Sequence, residues 1–355
     1  MTDLLALTAE LMAIPSLSRE EKLLADHLEP SLRRAPWLDV ARIGDNLAAR
    51  TTLGAPIRLV LAGHLDTVAP NGNTVPRIEG ATLWGLGSAD MKGGLAVMVD
   101  LATTIAAPAF DVTYIFYAAE EIARRYSGLL ELAEARPDLL EGSAAIVCEP
   151  TGAVVEAGCQ GVLKVEVVLA GVRSHVARPW MGRNAIHRLG PLLAALGALP
   201  ARCPEIDGCR YQESLQAVRA WGGVAANVVP DSAGLELNYR FAPDLDVAGA
   251  EQALRETLAR WLEEGDTFAV TDSAPSAPPS LQHPSLAALV GTAGGPVAAK
   301  LGWTDVAFFA ERGVPAANFG PGDPELAHTA GEHVTRASLE RARHVLGLLL
   351  GEERS

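Results

Sequence analysis

At 355 residues the chain exceeds what one hydrophobic core usually serves, so one large domain or two are expected. Apolar residues at 49% and charged residues at 20% give the profile of a soluble globular protein, and no uncharged apolar run is long enough to span a bilayer. A net charge of −14 repels phosphate backbones and argues against nucleic acid; an anionic substrate would need locally placed arginines or a metal.

The first residues, Met1 to Leu7, carry an early Asp and neither a basic region nor a cleavage motif. They read as the start of an amphipathic helix, and a cytoplasmic location is expected. The four cysteines (Cys148, Cys159, Cys203, Cys209) form no CxxC pair; reduced thiols are expected, with a Cys203–Cys209 bridge as the alternative.

In chain order, helices are expected at 3–13 and 19–34, separated by Pro15-Ser16. A strand over 57–62 is followed by a Gly/Pro/Asn loop and a helix over 93–106. Then come a strand over 112–117, a helix over 127–135 and a strand over 144–147. This alternation predicts an α/β domain whose mostly parallel sheet is flanked by helices, with ligands beyond the C-terminal strand ends. From about Val162 the order becomes strand 162–169, helix 184–199, strands 214–222 and 233–241, helix 247–263 and strand 268–272. That is the order of a ferredoxin-like split βαβ unit. The reading is an α+β domain, 162–274, inserted into a discontinuous domain, 1–161 and 275–355, with the Pro/Ser-rich segment 273–280 as the return linker. Helices near 285–292 and 305–311, a strand over 316–319 and a helix over 337–350, N-capped by Thr335, complete the chain.

Gly63-His64-Leu65-Asp66 closes the 57–62 strand and sends His64 and Asp66 to one side of an extended backbone. Asp66 is placed to orient the imidazole, as a carboxylate does behind a metal ligand. Glu120, Glu121 and Glu149 also follow strand ends, Asp90 lies in the intervening loop, and His328 sits in the Gly/Pro-rich loop after the last strand. Each has an ordinary structural reading: a satisfied polar residue, a helix start, a turn. Their joint arrival at the ends of one sheet does not. So many carboxylates would repel one another and raise each other's pKa. A pair of divalent cations removes the conflict, and mixed His/carboxylate ligation suits Zn²⁺, with Co²⁺ or Mn²⁺ able to substitute. No Gly-x-Ser-x-Gly, Walker A, Gly-x-Gly-x-x-Gly or His-Glu-x-x-His motif is present, which argues against serine-hydrolase and nucleotide chemistry.

Several segments, in order, resemble the M20 family of co-catalytic zinc peptidases and deacylases: Gly63 to Val68, Gly87 to Gly94, Ala119-Glu120-Glu121, Cys148 to Thr151, Ser174-His175 with Gly182 to Ala185, Asn227 to Pro230, Asn238 to Phe241, and the His328 loop. The resemblance implies a zinc-peptidase-like catalytic domain with an inserted lid and dimerisation domain, and two Zn²⁺ per subunit. Asp90 would bridge them, His64 and Glu149 completing one site, Glu121 and His328 the other. Asp66 would orient His64, and Glu120 would be the general base. His175 would stabilise the oxyanion and, with Asn227, reach a partner's site in a homodimer. Arg240 would meet a substrate carboxylate, and the Asp90-Met91 peptide would be cis. Segments Gly302 to Ala307, Asn318 to Pro324 and Trp180 to His187 are similar to the branch, as found in high-GC Gram-positive bacteria, that removes succinate from N-succinyl-LL-2,6-diaminopimelate. Another N-acyl amino acid, N-acetylornithine or a dipeptide is the alternative substrate, and an inactive metal-binding module the remote one. Departures are Val176 after His175, Thr329-Ala330-Gly331 after His328 (though Glu332 remains), and the basic run Arg124-Arg125.

Overall fold

The apolar run before His64 forms the strand Arg58–His64 in the computed structural model, which describes residues 2–352. It lies parallel to Asp111–Tyr117 on one side and to Ala144–Val147 on the other, and Ala316–Asn318 continues the parallel set beside Ala144–Val147. Antiparallel strands flank this centre: the hairpin Asp39–Ile43 and Asn46–Arg50 beyond Asp111–Tyr117, and Val155–Ala157 beyond Ala316–Asn318; Val297–Ala299 is the outermost strand on that side. All seven residues of Asp111–Tyr117 are buried, as expected for a strand covered on both faces.

The helix Lys92–Thr104 fills one face and is buried from Lys92 through Ala102. Leu95, Met98 and Leu101 are fully excluded from solvent within the main core, each worth about 1.5–3 kcal/mol of apolar burial. Two glycines let backbone close on backbone at the end of Ala144–Val147. A Cβ on Gly94 would stand 2.3 Å from the Cys148 carbonyl oxygen, and one on Gly320 would stand 2.4 Å from the same atom. The last helix, Arg336–Leu349, is capped by Thr335, whose hydroxyl accepts from the Ser338 N–H at 3.2 Å.

This sheet belongs to a unit made of the chain up to Gly158, Pro279–Ala298 and everything from Thr304 onward. The second unit, Cys159–Pro278 with Ala299–Trp303, is a four-stranded antiparallel sheet in the order Ser214–Gly222, Ser232–Phe241, Gly161–Ala170, Thr267–Ala274. Leu235, Leu237, Tyr239 and Phe241 alternate onto the core face and pack with Leu189, Leu192, Leu254 and Leu258 from the helices Ala185–Ala198 and Val247–Leu258. Ser273 and Ala274, read as linker from sequence, extend the final strand through pairing with Leu163 and Val162.

Candidate functional site

In the first unit, the four parallel strands all point their C-terminal ends at one place, and each delivers part of a His/carboxylate cluster. His64 ends the first strand and is 1% exposed. Its Nδ1 faces the Asp66 carbonyl oxygen at 3.0 Å, which fixes the ring and turns Nε2 toward Asp90 Oδ1 at 3.0 Å and Glu149 Oε1 at 3.9 Å. The other oxygen of Asp90 lies 3.4 Å from His328 Nε2, and that nitrogen is 2.8 Å from Glu121 Oε1. Ligand atoms of His64, Asp90 and Glu121 all lie within 4.8 Å of one another. Asp90 thus stands between two imidazoles, one oxygen toward each, and the Asp90-Met91 peptide is cis.

Asp66 does more than the sequence suggested. Its Oδ1 is 3.4 Å from His64 Nδ1, farther than the carbonyl oxygen. Its firm bonds go elsewhere: Oδ1 accepts the Glu120 N–H and Oδ2 the Glu121 N–H, each at 3.0 Å, and Oδ2 also accepts the Ser18 hydroxyl at 2.7 Å. One carboxylate therefore ties the His64 strand end to the loop that carries both glutamates. Ala119, which starts that loop, has a φ of 58°, unusual for a residue with a side chain, and its N–H is held at 2.9 Å by the buried Glu21 carboxylate.

The electrostatics are those of a crowded anion site. Burial pushes the Glu120 carboxyl well above its ordinary range; His64 opposes this, while Glu149 and Asp305 reinforce it. Asp90 is held below the usual carboxylate range because hydrogen bonds from His328 and His64 outweigh the cost of burial. His328 is pushed up to about 10 by Asp90 and Glu121. These shifts describe carboxylates competing for two imidazoles, a competition that added positive charge relieves. The donor set fits divalent cations: the backbone acceptor at His64 Nδ1 leaves Nε2 as the coordinating atom, and Asp90 can give one oxygen to each of two ions.

Three residues expected at the site belong to the second unit. His175 and Asn227 come together there: Ser174–His175 pairs with Val228–Val229, and the Val176 N–H donates to the Asn227 carbonyl at 3.2 Å. Both are exposed. His175 Nδ1 accepts the Ala177 N–H at 3.0 Å, so Nε2 is the ring atom left for other partners. Arg240 stands on the sheet face opposite Tyr239 and lines a cavity of about 760 Å³ with Gln160, Gln212 and Gln216. Burial lowers its pKa, and no carboxylate lies against it among the described residues.

Several supporting residues were not legible in sequence. The segment after Pro15 braces the His64 strand end through Ser16 Oγ to the Leu65 carbonyl at 2.8 Å, Ser18 N–H to the Thr67 carbonyl at 3.3 Å, and Ser18 Oγ to Asp66. Pro15-Ser16 read only as a helix break. Asp305, buried and pushed up to about 6 by desolvation, lies near enough to Glu120 for the two charges to repel. Its signal was its place in the Gly302 to Ala307 segment.

The pattern of Peptidase family M20/M25/M40 matches residues 60–352. A Mycobacterium tuberculosis protein provisionally named succinyl-diaminopimelate desuccinylase DapE is 47% identical over 353 residues, covering 98% of both chains. The Corynebacterium glutamicum succinyl-diaminopimelate desuccinylase is 40% identical over 356 residues, 99% of this chain and 96% of that one. Among solved structures, the aminopeptidase PepT of Bacillus cereus superposes with a TM-score of 0.78 at 19% identity, over 98% of this chain and 97% of that one. A Staphylococcus aureus tripeptidase gives 0.79 at 19%, with the same coverage. At such identity these two establish shared fold alone.

Proposed function

The chain belongs to Peptidase family M20/M25/M40, and from that membership we propose that it removes succinate from N-succinyl-LL-2,6-diaminopimelate, using two Zn²⁺ ions. The observation that carries the chemistry is Asp90 set between His64 and His328, with Glu121 and Glu149 alongside. His64 and Glu149 would hold one ion, Glu121 and His328 the other, and Asp90 both; Co²⁺ or Mn²⁺ would serve in their place. When bound, the cations supply Lewis acidity, polarising the scissile carbonyl and making water more acidic. The substrate class is supported by the two desuccinylase-named relatives, which match over nearly their whole length.

The chain's own residues then divide the remaining work. Glu120 takes a proton from the attacking water as the C–O bond forms and the carbonyl oxygen becomes an oxyanion; it then gives that proton to the amine nitrogen as the oxyanion collapses and the C–N bond breaks. The products are succinate and LL-2,6-diaminopimelate. Asp66 fixes the backbone that carries Glu120, and acts on His64 mainly through its own carbonyl oxygen. In the second unit His175 would donate to the developing oxyanion from Nε2. Arg240, a half-buried cation with no carboxylate against it among the described residues, would receive a substrate carboxylate, with Asn227 beside His175 as a further polar contact.

A homodimer through the second unit belongs to the same proposal, supported by the edge strand Ser214–Gly222, exposed along most of its length with Val218 at 61%. No described helix is long and apolar enough to cross a membrane. The deciding experiment is succinate release by zinc-loaded protein against a panel of amides. Hydrolysis of the succinyl substrate far above N-acetylornithine, other N-acetyl amino acids and dipeptides supports the reading. Preference for an acetyl substrate or a dipeptide overturns the substrate assignment while keeping the chemistry. No hydrolysis by protein holding two zinc ions overturns both.

A further inference from the structure

Glu332 lies shortly after His328 and is 1% exposed. Its Oε1 accepts two N–H groups on the opposite side of the cluster, from Ala89 at 3.0 Å and from Asp90 at 3.1 Å. Its own backbone is held in place as well. The Gly85 N–H donates to the Glu332 carbonyl at 2.9 Å, the Glu332 N–H donates to the Thr329 carbonyl at 3.3 Å, and His333 pairs with Trp84 in an antiparallel ladder. A buried lysine is close: Lys92 donates to the Leu11 and Ile14 carbonyls at 3.2 and 2.7 Å and interacts with the Glu332 charge.

His328 cannot set its own position. Its side chain is half-exposed and its φ is 63°, on a Gly/Pro-rich loop. Asp90, by contrast, is part of the buried turn into the Lys92–Thr104 helix. We propose that Glu332 is a positioning residue that fixes the separation of Asp90 and His328, and thereby decides whether the cluster takes two divalent cations or one. The proposal rests on reading Asp90 and His328 as ligands. The Ala89 and Asp90 amides converge on Oε1, and the Gly87 amide also bonds this carboxylate, so the clamp needs above all an acceptor oxygen at the Oε1 position. Gln keeps that oxygen. Asp falls short by one methylene, and Ala removes the acceptor and leaves these amides without a partner.

The test titrates zinc into chelator-stripped full-length protein by calorimetry, with near-ultraviolet circular dichroism as a check on folding. Wild type is expected to take two ions. Glu332→Gln is expected to take two with affinity within about threefold. Glu332→Asp and Glu332→Ala are expected to keep the first ion and bind the second about 10–100-fold more weakly, the range seen when a ligand loses its supporting hydrogen bond. If Glu332→Ala does not fold, the Gln and Asp variants carry the comparison. Two ions bound with wild-type affinity by the Asp or Ala variant would overturn the clamp, as would a Gln variant as weak as Asp. A His328→Ala control separates the two levels: if it still binds two ions as wild type does, the ligand reading itself falls.

Discussion

Replacing Asp66 by Asn changes almost no volume but removes one of two oxygens that are both in use. Oδ1 holds the Glu120 N–H, and Oδ2 holds the Glu121 N–H and the Ser18 hydroxyl. Whichever oxygen becomes an NH₂ group then points a donor at a buried backbone donor. If Oδ2 is replaced, the Ser18 hydroxyl can turn and accept, which limits the damage to the Glu121 amide. One unsatisfied buried N–H costs about 1–3 kcal/mol. Loss of the charge from the remaining bonds adds about 1 kcal/mol. Asp66→Asn should therefore destabilise the protein by about 2–4 kcal/mol, measured by urea denaturation at neutral pH in the presence of chelator. Acidity provides a second reading. Burial opposes ionisation of Asp66, but His64, Ser18 and the Glu120 amide outweigh it, so its folded pKa lies below the unfolded value. The carboxylate's contribution is then fully present above the unfolded carboxylate pKa and disappears as pH falls through the depressed folded one. The stability gap between wild type and Asp66→Asn should narrow below about pH 4. Turnover of zinc-loaded Asp66→Asn should fall about 10–100-fold, because the Glu120–Glu121 loop loses its tether. Loss of less than about 0.5 kcal/mol, a change typical of an unimportant surface site, would refute the tether.

Glu120→Gln should keep zinc affinity yet lose more than about a thousandfold in turnover, checked by calorimetry and steady-state kinetics on one preparation. Arg240→Ala should raise KM for the succinyl substrate about tenfold or more while changing little for an amide without the succinyl carboxylate; equal effects on both would remove Arg240 from recognition of that group. Asp111 accepts the Thr51 hydroxyl and the Leu53 and Ala55 amides at 2.9, 2.8 and 3.0 Å. Asp111→Asn should cost about 1–3 kcal/mol in urea denaturation without altering metal affinity. Zinc at a hundredfold excess over the Kd of a site should add roughly 2.7 kcal/mol to stability for each ion bound, read as a chelator-reversible rise in Tm.

What sequence revealed and what it hid follow different physical signals. The strands Ala144–Val147 and Ser214–Gly222 have the bounds read from sequence, because apolar runs or alternation bounded by turn residues leave little choice. The hairpin Asp39–Ile43 and Asn46–Arg50 was not read: its inner strand, Asn46-Leu47-Ala48-Ala49-Arg50, has no β-branched residue, and only its place in the sheet buries it. In the hairpin Arg77–Glu79 and Thr82–Trp84 the first strand is exposed and the second buries only Leu83 fully, so it is equally silent. In the site, His64, Glu121 and Glu149 could be nominated because polar residues soon after apolar strands are conspicuous, and Asp90 and His328 because they stand in Gly-rich loops that follow such strands. Ser18, Glu21 and Glu332 could not be given their places. A carboxylate that binds distant backbone amides has the same sequence signature as one that binds water.

The order in which the parallel strands occur along the chain has a consequence for synthesis. The strands ending near His64, Glu120 and Glu149 are all made before Gly158, but the fourth, Ala316–Asn318, and the His328 loop beyond it follow only after the whole second unit. At about 5–20 residues per second, the interval from Gly158 to Ala316 lasts on the order of ten to thirty seconds. Throughout it, the nascent chain carries the His64, Asp90 and Glu149 side of the cluster without the His328 loop, and the Ala144–Val147 edge waits for its neighbour. A ribosome-bound chain stalled within the second unit should therefore capture at most one zinc ion, and hydrolytic competence should appear only after the C-terminal helix has been made.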